Sequence, residues 1–334
     1  MKKIAINGFG RIGRLAFRAL AASEEYKVVA INSFSTTEED AYLLKYDTVH
    51  GRFAEENITF NEKGILFDGE LVECYNIDNP LNYPWGELGI DLVLECTGAF
   101  TDIKKATVHL DAGAKHVIIS APGKGDMKTI VYGVNDNLLD GTEAIISAAS
   151  CTTNCLAPVV KVINDEIGIE SGFMTTVHAY TNDQATQDGA HPKDARRGRS
   201  AAENIVPADT GAAVAIGEVI PELKGKLDGT AFRVPVANGS CVDLTLLLNK
   251  ETTAEEINSI ISMNTNDALK ITHDPIVSSD IIGNPCGSLV DAKCTTVLDS
   301  NPKLVKIVTW YDNEWGYVSQ MVRTLDTLLS KSTK

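Results

Sequence analysis

The sequence predicts an α/β protein that begins with a doubly wound parallel sheet and continues as an α+β domain with a mixed or antiparallel sheet. Up to Ser150, short apolar runs alternate with amphipathic stretches, a pattern typical of βαβ units. Beyond it, the strand-like runs are longer. The chain has 334 residues, which suits two domains of about 150 residues each. We predict a first domain of residues 1–150 plus a C-terminal helix at 316–334, and a second domain of residues 151–315.

The elements of the first domain follow from apolar runs and from helical spacing. Between the first two predicted strands, Ile12, Leu15 and Leu20 fall on one side of a helix. A second helix covers residues 104–112 and ends at Gly113, a residue type that commonly terminates helices. The predicted strands are Lys3–Ile6, Val28–Ile31, Asp91–Cys96, His116–Ser120 and Ala144–Ser147.

The second domain begins with a long helix, predicted from Cys151 to about Ile167. Residues 181–204 are polar and lack periodicity, which predicts an irregular loop with a functional or interface role. Apolar residues on one face predict a last helix over 318–329, able to pack on the first domain. The predicted strands are Gly172–Tyr180, Thr230–Val236, Ser240–Leu248 and Leu304–Tyr311.

The overall charge limits the classes of partner. A formal net charge of −15 argues against a nucleic-acid or acidic-membrane surface, so any phosphate site must be locally basic or built from backbone amides. Seven cysteines without a C-x-x-C pair predict reduced thiols and a cytoplasmic location. Asn7 and three early glycines interrupt the N-terminal apolar run, so no signal peptide is expected. No apolar run reaches 18 residues, and no membrane span or metal site is predicted.

A glycine-rich loop, Gly8-Phe-Gly10-Arg-Ile-Gly13, follows the first predicted strand and opens a predicted helix. In that setting the glycines permit a tight turn and let backbone amides approach a pyrophosphate, as in a Rossmann-type domain. The alternative is a glycine turn that serves only helix–sheet packing. The second strand ends at Ser33 without the carboxylate that usually binds the ribose hydroxyls. One barrier to NADP is therefore missing, although this does not establish a preference.

Two residues of the second domain have the chemistry of a nucleophile and a base. Cys151 stands where a short loop meets a long helix, and a helix N-terminus stabilises a thiolate. The alternative is an inert cysteine packed in the core. His178 lies late in a predicted strand, where a purely structural histidine is the alternative. The histidine acts as a base only if the fold brings it to Cys151.

Five motifs spread over essentially the whole chain resemble the phosphorylating glyceraldehyde-3-phosphate dehydrogenases. The cysteine block and the last motif are each highly specific. The motifs are NGFGRIGR at 7–14, ASCTTNCLAP at 149–158, HAYTNDQ at 178–184, TGAA at 210–213 and WYDNEWGY at 310–317.

The resemblance implies an NAD(P)-dependent aldehyde dehydrogenase of glycolysis or gluconeogenesis. Cys151 attacks glyceraldehyde 3-phosphate, and His178 raises its thiolate character and accepts the hydroxyl proton as hydride leaves for the nicotinamide. Inorganic phosphate then releases the thioester as 1,3-bisphosphoglycerate. The resemblance also implies a homotetramer, to which residues 181–204 would contribute a contact between subunits. The first domain would bind the cofactor and the second would be catalytic.

The resemblance also implies the residues that bind the ligands. One phosphate site would use Thr181 and Arg233. The other would use Ser150, Thr152, Thr210, Gly211 and one arginine of the loop, assigned to Arg197 from the set Arg196, Arg197 and Arg199. Surface ion pairing is the alternative for these arginines. For Asn313 and Tyr317 the alternative role is packing at a sheet edge. The cofactor residues would be Gly8, Gly10, Arg11, Ile12, Gly13, Ser33, Thr97, Gly98, Ser120, Asn313 and Tyr317.

Three departures from the family pattern bear on the choice of cofactor. Ser33 replaces a common aspartate, and Gly189-Ala190 replaces a proline-containing pair; both changes resemble members that accept NADP. Asp78-Asn79-Pro80 instead loses a positive charge near the adenine. NAD use is expected, and NADP use stays open. The alternative functions are an erythrose-4-phosphate dehydrogenase and a binding or adhesion protein that retains the fold.

Overall fold

A computed structural model describes residues 1–332 and divides the chain into two compact units. The first unit comprises Met1–Ile130, Asp136–Ala149 and the residues from Met321 onward. The second comprises Val131–Asn135 and Ser150–Gln320. Residues 333 and 334, at the end of the predicted segment 316–334, lie outside the described residues.

The first unit is built on a nine-stranded sheet in the order β10-β11-β9-β8-β1-β2-β7-β6-β5. All neighbouring strands run parallel except in the pairs β5–β6 and β6–β7, which are antiparallel. The strands of this unit are β1 (Lys2–Asn7), β2 (Tyr26–Asn32), β3 (Tyr46–Asp47), β4 (Gly51–Arg52), β5 (Ile58–Asn61), β6 (Gly64–Phe67), β7 (Glu70–Tyr75), β8 (Leu92–Glu95), β9 (His116–Ile119), β10 (Lys128–Thr129) and β11 (Ile145–Ser147), and its helices are α1 (Arg11–Leu20), α2 (Thr37–Lys45), α3 (Trp85–Leu88) and α4 (Ile103–Asp111). Strands β3 and β4 form a separate two-stranded sheet.

The centre of this sheet is also where its strand order reverses. The first strand, β1, lies between β2 and β8, and every side chain from Ile4 to Asn7 is buried. Burial on both faces is typical of parallel sheets covered by helices. In such sheets ligands bind outside the carboxyl ends of the strands at this reversal, here beside Asn7, Asn32 and Glu95.

The second unit is built on an eight-stranded mixed sheet in the order β13-β14-β12-β15-β19-β17-β16, with β18 paired to β19. Strand β12 runs parallel to β14 and antiparallel to β15. Its strands are β12 (Ile169–Ala179), β13 (Val206–Asp209), β14 (Leu227–Val234), β15 (Ser240–Leu248), β16 (Leu269–Thr272), β17 (Ser288–Asp291), β18 (Thr296–Leu298) and β19 (Asn301–Tyr311), and its helices are α5 (Cys151–Glu166), α6 (Ala212–Val219), α7 (Ala254–Met263) and the start of α8 (Trp315–Lys331).

The predicted fold class is confirmed, and the predicted elements are found with small shifts at their ends. Each predicted strand and helix overlaps one in the structure, and Ser240–Leu248 keeps its predicted bounds. The loop over 181–204 is irregular apart from a 3-10 turn at Ala195–Gly198. Helix α8 runs into the first unit, where Lys2 Nζ donates to the Leu329 carbonyl at 2.8 Å. Within residues 1–332, no helix is long and apolar enough to cross a bilayer.

Candidate active site

Cys151 is the first residue of α5, at the end of a sharp turn. Ala149, two residues earlier, has a left-handed backbone (φ 57°), a conformation that side chains other than glycine seldom adopt. The Ser150 side chain caps the helix by accepting a hydrogen bond from Thr153 N–H at 3.0 Å. The turn and the cap together place the thiol at the positive end of a 16-residue helix.

The fold brings this thiol to His178. The Sγ atom of Cys151 lies 3.4 Å from Nε2 of His178, near the carboxyl end of β12. The imidazole Nδ1 is 2.7 Å from the Ala179 carbonyl, which only accepts hydrogen bonds. In the tautomer with its proton on Nδ1, Nε2 can take a proton from the sulfur or from a group attached to it. The condition that the sequence left open for a nucleophile and base is met.

Strand register supplies a cation beside this pair. His178 on β12 is the Cα partner of Arg233 on the parallel strand β14. Nη1 of Arg233, which can only donate, lies 2.6 Å from Nδ1 of His178 and so favours the tautomer with its proton on Nε2; it also donates to the Ala179 carbonyl at 3.2 Å. Nε of Arg233 is buried and has no hydrogen-bond partner among residues 1–332. The guanidinium can therefore bind one more acceptor, such as a phosphate oxygen.

The environment of the pair favours neutral forms. Burial first, and then the charge of Arg233, lower the pKa of His178 to about 3. Burial raises the pKa of the Cys151 thiol, while Arg233 and hydrogen bonds from Thr152 oppose the rise. Desolvation thus outweighs the charge of Arg233 and the hydrogen bonds that favour the thiolate. The proton is expected to leave sulfur as the bond to substrate forms.

Tyr311 contacts the segments that carry Cys151 and His178 and was not predicted from the sequence. Its hydroxyl lies 2.9 Å from the Thr152 hydroxyl on α5 and 2.8 Å from the Thr176 hydroxyl on β12. Its ring meets the His178 ring edge-on, with centroids 5.9 Å apart. The only signal in the sequence was its place inside WYDNEWGY. Thr152 uses its hydroxyl here, so a phosphate would meet its backbone amide.

Asn313 is oriented by partners on β15 and in the turn before it. Its Oδ1 accepts from Gly239 N–H at 3.2 Å and from Ser240 Oγ at 2.7 Å. Both lone pairs of Oδ1 are engaged, so the side-chain amide can bind a ligand only by donating a hydrogen bond from Nδ2. Tyr317 follows on α8 and is 4% exposed. Both residues belong to the second unit.

The irregular loop joins two predicted phosphate residues through a carboxylate. Asp183 accepts from the Thr181 hydroxyl and forms an ion pair with Arg197. Arg199 forms an exposed ion pair with Asp188 at 3.0 Å, and the side chain of Arg196 is exposed. Arg197 is therefore the least exposed of the three arginines, and Asp183, missed in the sequence, competes for it.

Thr210 and Gly211 stand at the start of α6, where backbone amides point outward. The Thr210 hydroxyl accepts from Ala212 N–H at 3.2 Å, and Gly211 is the residue before the helix. A side chain at Gly211 would meet no atom within 4 Å. This end of the helix is therefore open to an anion.

In the first unit, each glycine of the loop has a different structural role. Gly8 has φ +94°, and an added Cβ would come within 2.8 Å of backbone at Cys96 and Thr97. An added Cβ at Gly13 would collide with the Gly8 carbonyl, whereas one at Gly10 would meet nothing within 4 Å. The turn, the open approach and the close helix–strand packing fit a dinucleotide pyrophosphate.

Arg11, inside the glycine loop, is held by a charged partner. Arg11 forms an ion pair with Asp47, a contact that, with backbone amides, lowers the pKa of Asp47 to about 2 although burial opposes the shift. Ile12, the next residue, is half-buried. Arg11 is thus the first residue of α1 and is anchored to a carboxylate outside the glycine loop.

A buried carboxylate, Glu95, organises the predicted nicotinamide residues of this unit. It accepts from Asn7 Nδ2 at 2.6 Å, from Thr97 N–H at 2.8 Å and from the Thr97 hydroxyl, and its Oε2 lies 3.0 Å from His109 Nε2. Trp85 Nε1 donates to His109 Nδ1 at 3.1 Å, so Nε2 carries the proton. This network, not anticipated from the sequence, fixes Thr97.

Two further predicted cofactor residues, Gly98 and Ser120, follow the strands β8 and β9. Gly98 has φ +73°, and a side chain added there would meet no atom within 4 Å. Ser120 donates its backbone N–H to the Glu95 carbonyl at 3.0 Å. Both therefore lie beside the carboxyl ends of the central strands, where the strand order reverses.

Ser33 follows β2, and its hydroxyl hydrogen-bonds to a carboxylate, Asp40 of α2. The sequence pattern showed no carboxylate at the end of the strand, because Asp40 lies seven residues further along the chain. Folding of the helix onto the strand brings it back to that point.

Comparison with known proteins covers nearly the whole chain. Residues 2–103 match the family model described as glyceraldehyde 3-phosphate dehydrogenase, NAD binding domain, and residues 150–313 match the corresponding C-terminal domain. The chain is 55% identical over 328 residues to a glyceraldehyde-3-phosphate dehydrogenase of Clostridium pasteurianum, covering 98% of each protein. A Streptococcus pyogenes protein of the same name is 51% identical over 97% of each.

The chain belongs to the glyceraldehyde-3-phosphate dehydrogenase family. The predicted family, enzyme class and main function are confirmed: this is an NAD-using oxidoreductase of the glyceraldehyde-3-phosphate dehydrogenase type. The glycolytic role follows from the family.

The second unit carries Cys151, His178 and the predicted anion residues. The first unit carries the glycine loop, Ser33 and the Glu95 network. Among the described residues, no cluster of histidine, cysteine and carboxylate side chains is arranged to hold a metal ion.

Proposed function

We propose that Cys151 and His178 perform the phosphorylating oxidation of D-glyceraldehyde 3-phosphate to 1,3-bisphosphoglycerate. The 3.4 Å contact between Sγ and Nε2 is the observation that supports this proposal. Nucleophile and base within direct reach of each other are the signature of covalent catalysis. Erythrose 4-phosphate is the competing substrate to test.

The first step joins sulfur to the substrate. The Cys151 sulfur forms a bond to the aldehyde carbon, and the thiol proton ends on the former carbonyl oxygen, giving a hemithioacetal. Nε2 of His178 then takes that hydroxyl proton as the C–H bond breaks and the C=O bond re-forms. The chemistry that NAD supplies when bound is acceptance of the hydride. A thioester on Cys151 and a protonated His178 remain.

The second step releases the product. An oxygen of inorganic phosphate forms a bond to the thioester carbon, and the C–S bond breaks. The sulfur leaves with its electron pair and recovers the proton that Nε2 held, so the thiol and the neutral imidazole are restored. Ser150, Thr210, Gly211, Arg197 and the backbone at Thr152 are the proposed donors to the phosphates.

We place the other phosphate at Arg233 and Thr181. Two buried donors have no hydrogen-bond partner within residues 1–332: Nε of Arg233 itself, and Nε2 of Gln184, three residues after Thr181. Burying a donor without an acceptor costs free energy, so both are expected to bind an anion. Since the charge of Arg233 lowers the pKa of His178, a phosphate on Arg233 would raise that pKa. Substrate binding would then strengthen the base.

Removing this guanidinium tests the assignment. Arg233→Ala is expected to raise KM for glyceraldehyde 3-phosphate by about 10- to 100-fold, the range for losing a hydrogen bond to a charged group. It is also expected to raise the pKa of His178, measured by NMR titration. Arg199→Ala, which breaks only an exposed pair with Asp188, is the control. An unchanged KM in Arg233→Ala would place the phosphate elsewhere.

The activity itself is tested by omitting phosphate. One NADH per Cys151 should then form in a burst, and intact mass should show an acyl group on that residue. With phosphate present, kcat/KM should be higher for glyceraldehyde 3-phosphate than for erythrose 4-phosphate. A preference for the four-carbon sugar would favour the alternative enzyme.

The choice of cofactor, assembly and location are further proposals. NAD is the proposed physiological acceptor, with NADP use measured as a ratio of kcat/KM values. Asn313, Tyr317, Thr97, Gly98 and Ser120 remain the proposed nicotinamide residues. We propose a homotetramer in the cytoplasm, consistent with seven free cysteines. Sedimentation equilibrium that returns the monomer mass of 35.9 kDa would reject the tetramer.

A further inference from the structure

The hydroxyl of Ser33 is committed on two sides. It hydrogen-bonds to Oδ2 of Asp40, and it accepts from Ser35 N–H at 3.2 Å. A carboxylate can only accept, so the one proton of the serine hydroxyl must point at Asp40. What remains on Ser33 Oγ is a single lone pair.

That remaining lone pair distinguishes two kinds of ribose. A free 2′-hydroxyl can donate to it. A 2′-phosphate has only acceptor oxygens and negative charge, so it would face a lone pair with a carboxylate behind it. Ser33 follows β2 beside the reversal of strand order, where Rossmann-type domains bind the adenosine ribose.

We propose that Asp40 is a specificity-determining residue: by fixing the Ser33 proton, it makes the adenosine site favour an unphosphorylated ribose, and hence NAD over NADP. The proposal rests on the proposed cofactor site of the first unit. It reverses the inference drawn from the sequence, in which the absence of a carboxylate at Ser33 removed a barrier to NADP. The carboxylate is present but comes from a neighbouring helix.

The surroundings of Asp40 act on its charge in opposite directions, and on balance its pKa is raised from the ordinary value. Burial raises its pKa, while the Ser33 hydroxyl, the charge of Arg14 and the Ser35 side chain oppose the rise. The charge of Glu39, a neighbouring carboxylate, also raises the pKa of Asp40. Asp40 lies in the first turn of α2, where the helix end favours an anion. Asp40 is 2% exposed, so its charge is screened less by salt than a surface charge.

The test compares binding of 2′,5′-ADP with binding of 5′-ADP, measured by calorimetry on the full-length protein. Both Asp40→Asn and Asp40→Ala remove the charge, and the alanine variant also frees the Ser33 proton. For Asp40→Ala, the affinity for 2′,5′-ADP relative to 5′-ADP is expected to rise by about 10- to 100-fold, the value of a hydrogen bond to a charged group. NADP affinity relative to NAD should rise in parallel.

Two controls isolate the mechanism. Glu38→Gln removes an exposed charge from the same helical turn and should leave the ratio unchanged. In a Ser33→Ala background, Asp40→Ala should change the ratio clearly less than it does in the wild type, since the hydroxyl is gone and only the repulsion by the carboxylate charge remains. Thermal unfolding of every variant verifies the fold, and Asp40→Asn provides a nearly isosteric variant should alanine leave a damaging cavity.

The proposal is overturned if both Asp40 variants keep the wild-type ratio, or if the full gain persists without the Ser33 hydroxyl. The nucleotide measurements need no catalysis. Loss of acyl-enzyme formation would therefore count against the roles of Cys151 and His178 and leave the ratio readable, whereas failure of 5′-ADP itself to bind would reject the cofactor site.

Discussion

Replacement of Cys151 by serine is expected to lower kcat for glyceraldehyde 3-phosphate oxidation on the order of 10⁴- to 10⁶-fold, the scale seen when a covalent nucleophile is lost. A serine hydroxyl at this position is a far weaker nucleophile than sulfur at neutral pH, and an oxygen ester is a poorer acyl donor to phosphate. The measurement is steady-state NADH formation together with intact mass after substrate addition without phosphate. No acyl adduct should accumulate.

The matched control is Cys294→Ser, which changes an exposed thiol. It should retain wild-type turnover and still acquire one acyl group. Should the Cys151 variant instead keep more than about a hundredth of the wild-type rate, or should the adduct map to another cysteine, the covalent mechanism would be wrong.

Replacement of His178 by asparagine is expected to slow hydride transfer by about 10²- to 10⁴-fold, the usual contribution of a positioned base. Acylation should continue, because the sulfur remains at the start of α5. Stopped-flow measurement of the burst of NADH formation gives the rate of hydride transfer directly. Since the pKa of His178 is lowered to about 3, the wild-type imidazole is neutral and able to accept a proton at neutral pH before substrate binds.

His273→Asn is the corresponding control, because His273 is exposed and lies outside the proposed site. Its burst rate should equal that of the wild type. A His178→Asn enzyme with an unchanged burst rate would show that the proton leaves by another route, with the imidazole serving only to hold Cys151 and Tyr311 in place.

Several elements escaped prediction for identifiable reasons. Strand β5 buries only its first residue, Ile58, so it has no continuous apolar run. Helix α2 exposes Tyr42 and Leu43, by 60% and 37%, which weakens its helical pattern. Asp40 was missed together with this helix. The ribose carboxylate was sought only at the end of β2.

The sequence by itself determined the features that neighbouring residues encode. The strand, the glycine loop and helix α1 lie within the first 20 residues, and the start of α5 is set by Ser150, which caps its own helix. Periodicity and capping act over one or two turns, so they can be read directly from the chain. The prediction that Cys151 is the nucleophile also rested on local motifs.

Only the tertiary structure decided which distant groups meet. His178 is 27 residues from Cys151 and 55 from Arg233, and the pairing of β12 with β14 brings the arginine to the imidazole. Packing of α2 likewise returns Asp40 to Ser33. Sheet register and helix docking depend on burial across the whole unit, and no short segment encodes them. The local pattern therefore supplied the chemical groups, and long-range packing determined their electrostatic environment.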